Sequence, residues 1–131
     1  EVDSAFERGL EVGGDSVLDA MQIPNVHVDL VPAIRGPRQL ELDEALGIVE
    51  CRGVATAVLA ADAAAKAAFV DLVEVRLAMH LGGKGFFLLA GEVGDVEEAV
   101  AVASDLARSR EALIHQVVIP RVSSELLEHL R

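Results

Sequence analysis

The sequence predicts an α+β fold of the ferredoxin-like kind, with elements in the order β-α-β-β-α-β over residues 45–119. Three observations carry that reading. Apolar residues recur at helical spacing over 54–69 and 94–108. Residues 71–79 alternate with period two. A β-branched run over 112–119 stops at Pro120. Such an order gives an antiparallel sheet with both main helices on one face. The other face then needs cover from the short terminal elements or from a neighbouring subunit.

The elements follow in turn. Ala45-Leu46-Gly47-Ile48-Val49-Glu50-Cys51 is a short apolar strand, punctuated by Gly53. Val54, Ala57, Val58, Ala61, Ala65, Ala68 and Phe69 form the stripe of the first helix. Asp62 and Lys66 sit four apart on it, an ion pair worth about 0.2–0.5 kcal/mol on a helix surface. Val73, Val75, Leu77 and Met79 then share one strand face, with Glu74 and Arg76 on the other. His80-Leu81-Gly82-Gly83-Lys84 is a turn whose glycines allow positive φ. Residues 85–90 form the next strand, ended by Gly91. Val96, Ala99, Val100, Ala103 and Leu106 or Ala107 stripe the second helix. Its acidic start at Asp95, Glu97 and Glu98 and its basic end at Arg108 suit the helix dipole. After the strand over 112–119, a short helix at about 123–130 closes the chain.

At 131 residues the chain holds one domain, or one and a fraction. Half of it is apolar (52%), enough for a real core, and the net charge of −11 argues against nucleic acid and anionic membrane surfaces as partners. No apolar run approaches a membrane span, and no basic segment followed by an apolar one suggests a secretory signal. The one cysteine, Cys51, excludes an internal disulfide framework and fits a reducing compartment. Tyr and Trp are absent, so aromatic platforms for bases are not expected. The alanine-rich run from Ala60 to Ala68 favours close helix packing and tight assembly.

The beginning of the chain repeats its end. Val2-Asp3-Ser4-Ala5-Phe6 aligns with Val96-Glu97-Glu98-Ala99-Val100 at an offset of 94. Ile23-Pro24-Asn25-Val26 aligns with Ile119-Pro120-Arg121-Val122 at an offset of 96, and Leu30 with Leu126 in the same register. Residues 2–12 therefore read as a helix, 17–23 as a strand and 28–34 as a short helix. Residues 35–43, with Arg35-Gly36-Pro37-Arg38, read as a linker. The expectation is the C-terminal part of one unit (1–34), a linker, and one complete unit (44–131). The front of the first unit then lies outside this sequence, which opens on Glu1 rather than Met. A lone helix–strand pair leaves sheet edges unpaired, so residues 1–34 call for a complementing segment.

Three pieces in order resemble the bacterial microcompartment (BMC) shell domain. They are Ala45-Leu46-Gly47-Ile48-Val49-Glu50, Ala60-Ala61-Asp62 through Lys66-Ala67-Ala68, and Gly91-Glu92-Val93-Gly94-Asp95-Val96. The tandem layout is similar to the trimeric type of shell protein, as found in propanediol-utilisation compartments. There two domains in one chain mimic two subunits of a hexamer. The resemblance implies a structural shell component in the cytoplasm: a homotrimeric pseudo-hexamer that joins other shell proteins around encapsulated enzymes. It further implies a central pore lined by His80, Leu81, Gly82, Gly83 and Lys84. Lys66 matches the family's contact residue at disc edges, and Arg121 falls where a second such contact often lies. The family commonly follows that residue with Pro-His; Val122-Ser123 stand here instead. Ala90 stands where an Arg often precedes the Gly-Asp-Val piece, so any subunit pairing made by that Arg is missing.

Catalytic chemistry finds little footing. His27, His80, His115 and His129 show no metal-ligand spacing. Cys51 lacks an evident partner for nucleophilic catalysis. Gly82-Gly83-Lys84 lacks the spacing and following helix of a phosphate loop. Some tandem shell proteins hold an iron–sulfur cluster through cysteines of the first-domain hairpin. That hairpin is not in this sequence and residues 80–84 contain no cysteine, so no cofactor or metal is assigned. The expectation is a non-enzymatic protein. The alternative is a trimeric ferredoxin-like regulator binding a small molecule between subunits, disfavoured by the short turn at 80–84.

Overall fold

The computed structural model describes residues 1–78, 80 and 82–130. Strands β1 (Ala45–Cys51), β2 (Val70–Leu77), β3 (Gly85–Gly91) and β4 (Leu113–Ile119) form one sheet in the order β2-β3-β1-β4. All three pairings are antiparallel. With α3 (Val54–Ala67) after β1 and α4 (Val93–Ser109) after β3, the expected β-α-β-β-α-β order stands.

Both helices lie on one face, because each carries a stripe that water would otherwise meet. In α4 the stripe is Val96, Ala99, Val100, Ala103 and Ala107, all buried against Val49, Phe87 and Leu89 of the sheet. In α3 it broadens to Ala57, Val58, Ala60, Ala61, Ala64 and Ala65, because this helix is covered on more than one side. The opposite face of the sheet buries Leu46, Val73, Leu88 and Ala90 beneath Val122, with Leu40, Leu126 and Leu127 packed on them. The cover expected from short terminal elements thus comes from α5 (Ser124–His129) and the linker.

The remaining elements are α1 (Val2–Gly13), a 3-10 turn at Gly14–Ser16, and α2 (Leu30–Arg35), which lies beside edge strand β2. Among the described residues α1 packs against no other helix or strand beyond that turn, and none of its residues is buried. The linker is anchored where the Arg38 amide donates to the Val73 carbonyl (2.7 Å).

Three expectations need correction. Residues 17–23 are extended but form no strand, because no described strand offers them a ladder of hydrogen bonds. The α3 stripe ends at Ala67: Ala68 turns to an extended conformation and leaves Phe69 90% exposed. The strand expected over 71–79 ends at Leu77, since Ala78 adopts φ 59. Met79 lies outside the described residues.

Candidate functional site

The turn between β2 and β3 defines one end of the sheet, where Gly85 pairs with both Leu77 and Cys51. The Ala78 amide donates to the Lys84 carbonyl (2.9 Å) and closes the turn. Ala78, His80, Gly82 and Gly83 all have positive φ, at 59°, 60°, 63° and 83°. A left-handed conformation costs a non-glycine residue about 1–2 kcal/mol, so the glycines are there for the backbone. Added Cβ atoms at Gly82 and Gly83 would meet nothing within 4 Å, which excludes crowding as the reason. His80, Gly82, Gly83 and Lys84 are exposed together, presenting peptide groups, an imidazole and an ammonium. Leu81 lies outside the described residues.

Lys66 and Arg121 belong to the other end. There Gly91 pairs with Ala45 and Val70, and Ile119 with Leu46. Strands of seven residues separate the two ends by about 20 Å. Lys66 pairs with Asp62, which is only 3% exposed, and donates to the Pro24 carbonyl (3.2 Å). The Asp62 carboxylate also accepts the His27 amide (2.8 Å). This pair is thus more than an exposed helix-surface contact: it ties residues 24–27 to α3. Arg121 faces Asp43 at 3.3 Å with both side chains mostly exposed, a pair that contributes about 0–1 kcal/mol. A groove of about 540 Å³ lies here between Phe69, Val93, Pro120 and Arg121.

A third cluster joins residues 17–23 to the complete unit. The Asp19 carboxylate accepts from the Thr56 amide and hydroxyl, both at 2.8 Å, and from Arg110 Nη2 at 2.9 Å. Arg110 Nε donates to Thr56 Oγ1 (3.0 Å), and its Nη2 reaches the Ala20 carbonyl. Asp19 therefore caps the first turn of α3, whose own N-cap residue, Gly53, has no side chain for the task. A Cβ on Gly53 would stand 2.5 Å from Asp19 Oδ2. Burial raises the Asp19 pKa, but the hydrogen bonds from Arg110 and Thr56 outweigh it and hold the carboxyl below 3.8.

Cys51 is fully buried at the hairpin end of β1. Burial, with the Asp19 and Glu50 charges, pushes its thiol up to about 11. A thiol so placed is protonated and inaccessible, the reverse of a nucleophile. Among the described residues no three His, Cys, Asp or Glu side chains are grouped to hold a metal. These residues do not fit an iron–sulfur cluster, which would need cysteines from elsewhere. Among the described residues no helix is long and apolar enough to cross a membrane.

The result is a small α+β unit with the glycine turn at one end of its sheet and Lys66 and Arg121 at the other. The BMC domain family matches residues 45–122, and the chain belongs to it. Over 120 residues the chain is 42% identical to the bacterial microcompartment shell protein PduT of Citrobacter freundii, a match spanning 92% of this chain and 65% of that protein. It is 41% identical over 83 residues to the carboxysome shell protein CsoS1C of Halothiobacillus neapolitanus, covering 63% of this chain and 83% of that one. The crystal structure of a microcompartment protein from Desulfitobacterium hafniense DCB superposes with a TM-score of 0.82 at 42% identity, over 97% of this chain and 71% of that one. The chain spans 65% and 56% of the lengths of PduT and of the related shell protein PduK. The regulator reading finds no support among these relatives.

Proposed function

We propose that this protein is a structural component of a bacterial microcompartment shell in the cytoplasm, without catalytic activity or a cofactor of its own. In this reading it assembles as a homotrimer in which two BMC modules per subunit make a six-module ring. The observation that carries the reading is the polarity of the module. The hairpin, with His80, Gly82, Gly83 and Lys84, occupies one end of the sheet, and Lys66 and Arg121 the other. In a closed ring one end of each module converges on the axis and the opposite end forms the rim. The hairpin then lines a pore whose peptide groups suit small polar solutes. The rim carries Lys66 and Arg121 to contacts with other shell proteins, the enzymes lying inside.

Residues 1–34 act as the C-terminal part of the first module. Shifted by the repeat's 94 residues, the buried stripe of α4 falls on Val2, Ala5, Phe6, Gly9, Leu10 and Gly13 of α1. All six are apolar or small, yet none is buried. A face built like that of α4 needs the sheet and helix that α4 has. The complementing segment is therefore a β-α-β-β unit equivalent to residues 45–91.

Native mass spectrometry of the natural gene product, with electron microscopy of its assemblies, tests the reading. It expects trimers forming flat discs and sheets, and Lys66→Ala discs that no longer tile. A stable monomer overturns it.

A further inference from the structure

A groove of about 590 Å³ runs between residues 33–37 and edge strand β2, and His80 of the turn also lines it. That size falls within the range of small-molecule sites. Its charge balance runs against that of the chain. The net charge is −11, yet the groove holds Arg35, Arg76 and His80 against one acid, Glu74. The groove at the rim has the opposite balance, with Asp43, Glu44, Asp71 and Glu92 beside Arg121.

The basic groups are held in place. Glu74 and Arg76 lie two apart on β2 and so share a face. Glu74 Oε1 accepts from Arg76 Nε (3.0 Å) and Nη2 (2.7 Å), which occupies one edge of the guanidinium and neutralises the carboxylate. The same guanidinium stands 5.3 Å from the centroid of the Phe86 ring. Arg35 ends α2, is exposed, and among the described residues enters no ion pair. With Arg76 and Glu74 cancelling, Arg35 leaves the groove positive. His80 adds a ring nitrogen from the left-handed backbone of the turn. Ile34, Pro37 and Leu77 supply apolar wall.

We propose that this groove binds a phosphate ester, with its phosphate on Arg35, Arg76 and His80 and its organic body on Ile34, Pro37 and Leu77. A guanidinium presents a planar fork that matches phosphate oxygens. Two forks from different elements each take one oxygen, and the imidazole meets a third. A carboxylate has two oxygens and leaves one of the three groups without a partner. Repulsion from the acidic remainder of the chain is screened beyond about 8 Å at physiological salt, so the local groups decide. The groove lies within one chain, so binding does not require the ring. Its consequence does rest on the ring reading above: the shared His80 then holds a phosphorylated solute beside the pore.

Isothermal titration of the natural gene product with phenyl phosphate tests the assignment, with phenylacetate and inorganic phosphate titrated beside it. The expected result is saturable binding of phenyl phosphate and weaker binding of the other two. Arg35→Gln should bind phenyl phosphate about tenfold more weakly, the size of one hydrogen bond to a charged group, with an unchanged far-ultraviolet dichroism spectrum. Arg108→Gln, which removes an exposed arginine of α4 outside the groove, should bind as the wild type does. No saturable binding up to about 10 mM overturns the site. So does Arg35→Gln binding as tightly as wild type, or Arg108→Gln losing as much as Arg35→Gln. Phenylacetate binding as tightly as phenyl phosphate overturns the phosphate assignment. Should Arg35→Gln misfold, His80→Asn is read in the same way, since Asn tolerates positive φ. Native mass spectrometry of the same samples keeps the two readings apart: a monomer that binds phenyl phosphate overturns the ring and upholds the groove, and a trimer that does not bind it overturns the groove alone.

Discussion

Replacing Asp19 with Ala removes four hydrogen bonds at once, from the Thr56 amide and hydroxyl, Arg110 and the Ala20 amide, and leaves Arg110 without its carboxylate. Loss of a helix cap costs about 1 kcal/mol. Stripping the partner from a buried charge costs about 3–5 kcal/mol. Here the Asp19 and Arg110 side chains keep 24% and 31% of their exposure, so water recovers much of the second cost. The sum expected for Asp19→Ala is about 2 kcal/mol, or roughly 7 °C in melting temperature for a chain of this size. Urea unfolding at pH 7 measures it. The pH dependence has a fixed sign. The folded pKa of Asp19 lies below 3.8, so the unfolded chain binds more protons as pH falls through that range. The stabilisation is therefore complete above the unfolded value and fades as pH drops through the folded one. The gap between wild type and Asp19→Ala should close below pH 3.8. A gap under about 0.5 kcal/mol at pH 7, within the range of an ordinary surface change, refutes the clamp. So does a gap that ignores pH.

Gly53→Ala should destabilise by about 1–2 kcal/mol by pushing Asp19 from its seat, and the double variant with Asp19→Ala should cost less than the sum of the two. Gly82→Ala should cost about 1 kcal/mol through its φ of +63° alone, read as a small drop in the urea midpoint without a change in slope. Cys51, buried with a thiol near 11, should resist a disulfide reagent at pH 7.5 in the folded protein and react at once in urea. Rapid labelling of the native state contradicts its placement.

The four strands and two main helices were legible because each buries one side and leaves a period in the sequence. The stripe Val96, Ala99, Val100 and Ala103 is legible from spacing and is buried, and of the two candidates for its last position the structure buries Ala107 and leaves Leu106 partly exposed. Periodicity failed where it had no packing behind it. Phe69 continues the α3 stripe on paper, but the helix has ended and nothing lies above it. Residues 17–23 read as a strand from the repeat, yet strand formation depends on a partner that no local pattern supplies. The repeat foretold α2 and α5 as matching short helices, and the structure has them at Leu30–Arg35 and Ser124–His129. The clamp escaped notice because Asp19 and Arg110 are 91 residues apart. Its one sequence signal was negative: α3 begins Gly53-Val54-Ala55-Thr56 without a capping side chain at Gly53, so an outside carboxylate had to serve. The hairpin was legible as a turn from its glycines. Its place at the end of the sheet away from Lys66 and Arg121 needed the strand register.

That opposition of ends is what makes a module fit for tiling, and a reconstruction of the assembled particle by electron cryo-microscopy tests it most directly. Six modules should surround a central opening, with Gly82 and Gly83 at its edge and Lys66 and Arg121 on the outer boundary. A particle without rotational symmetry, or a ring with the glycine turn on its outside, contradicts it.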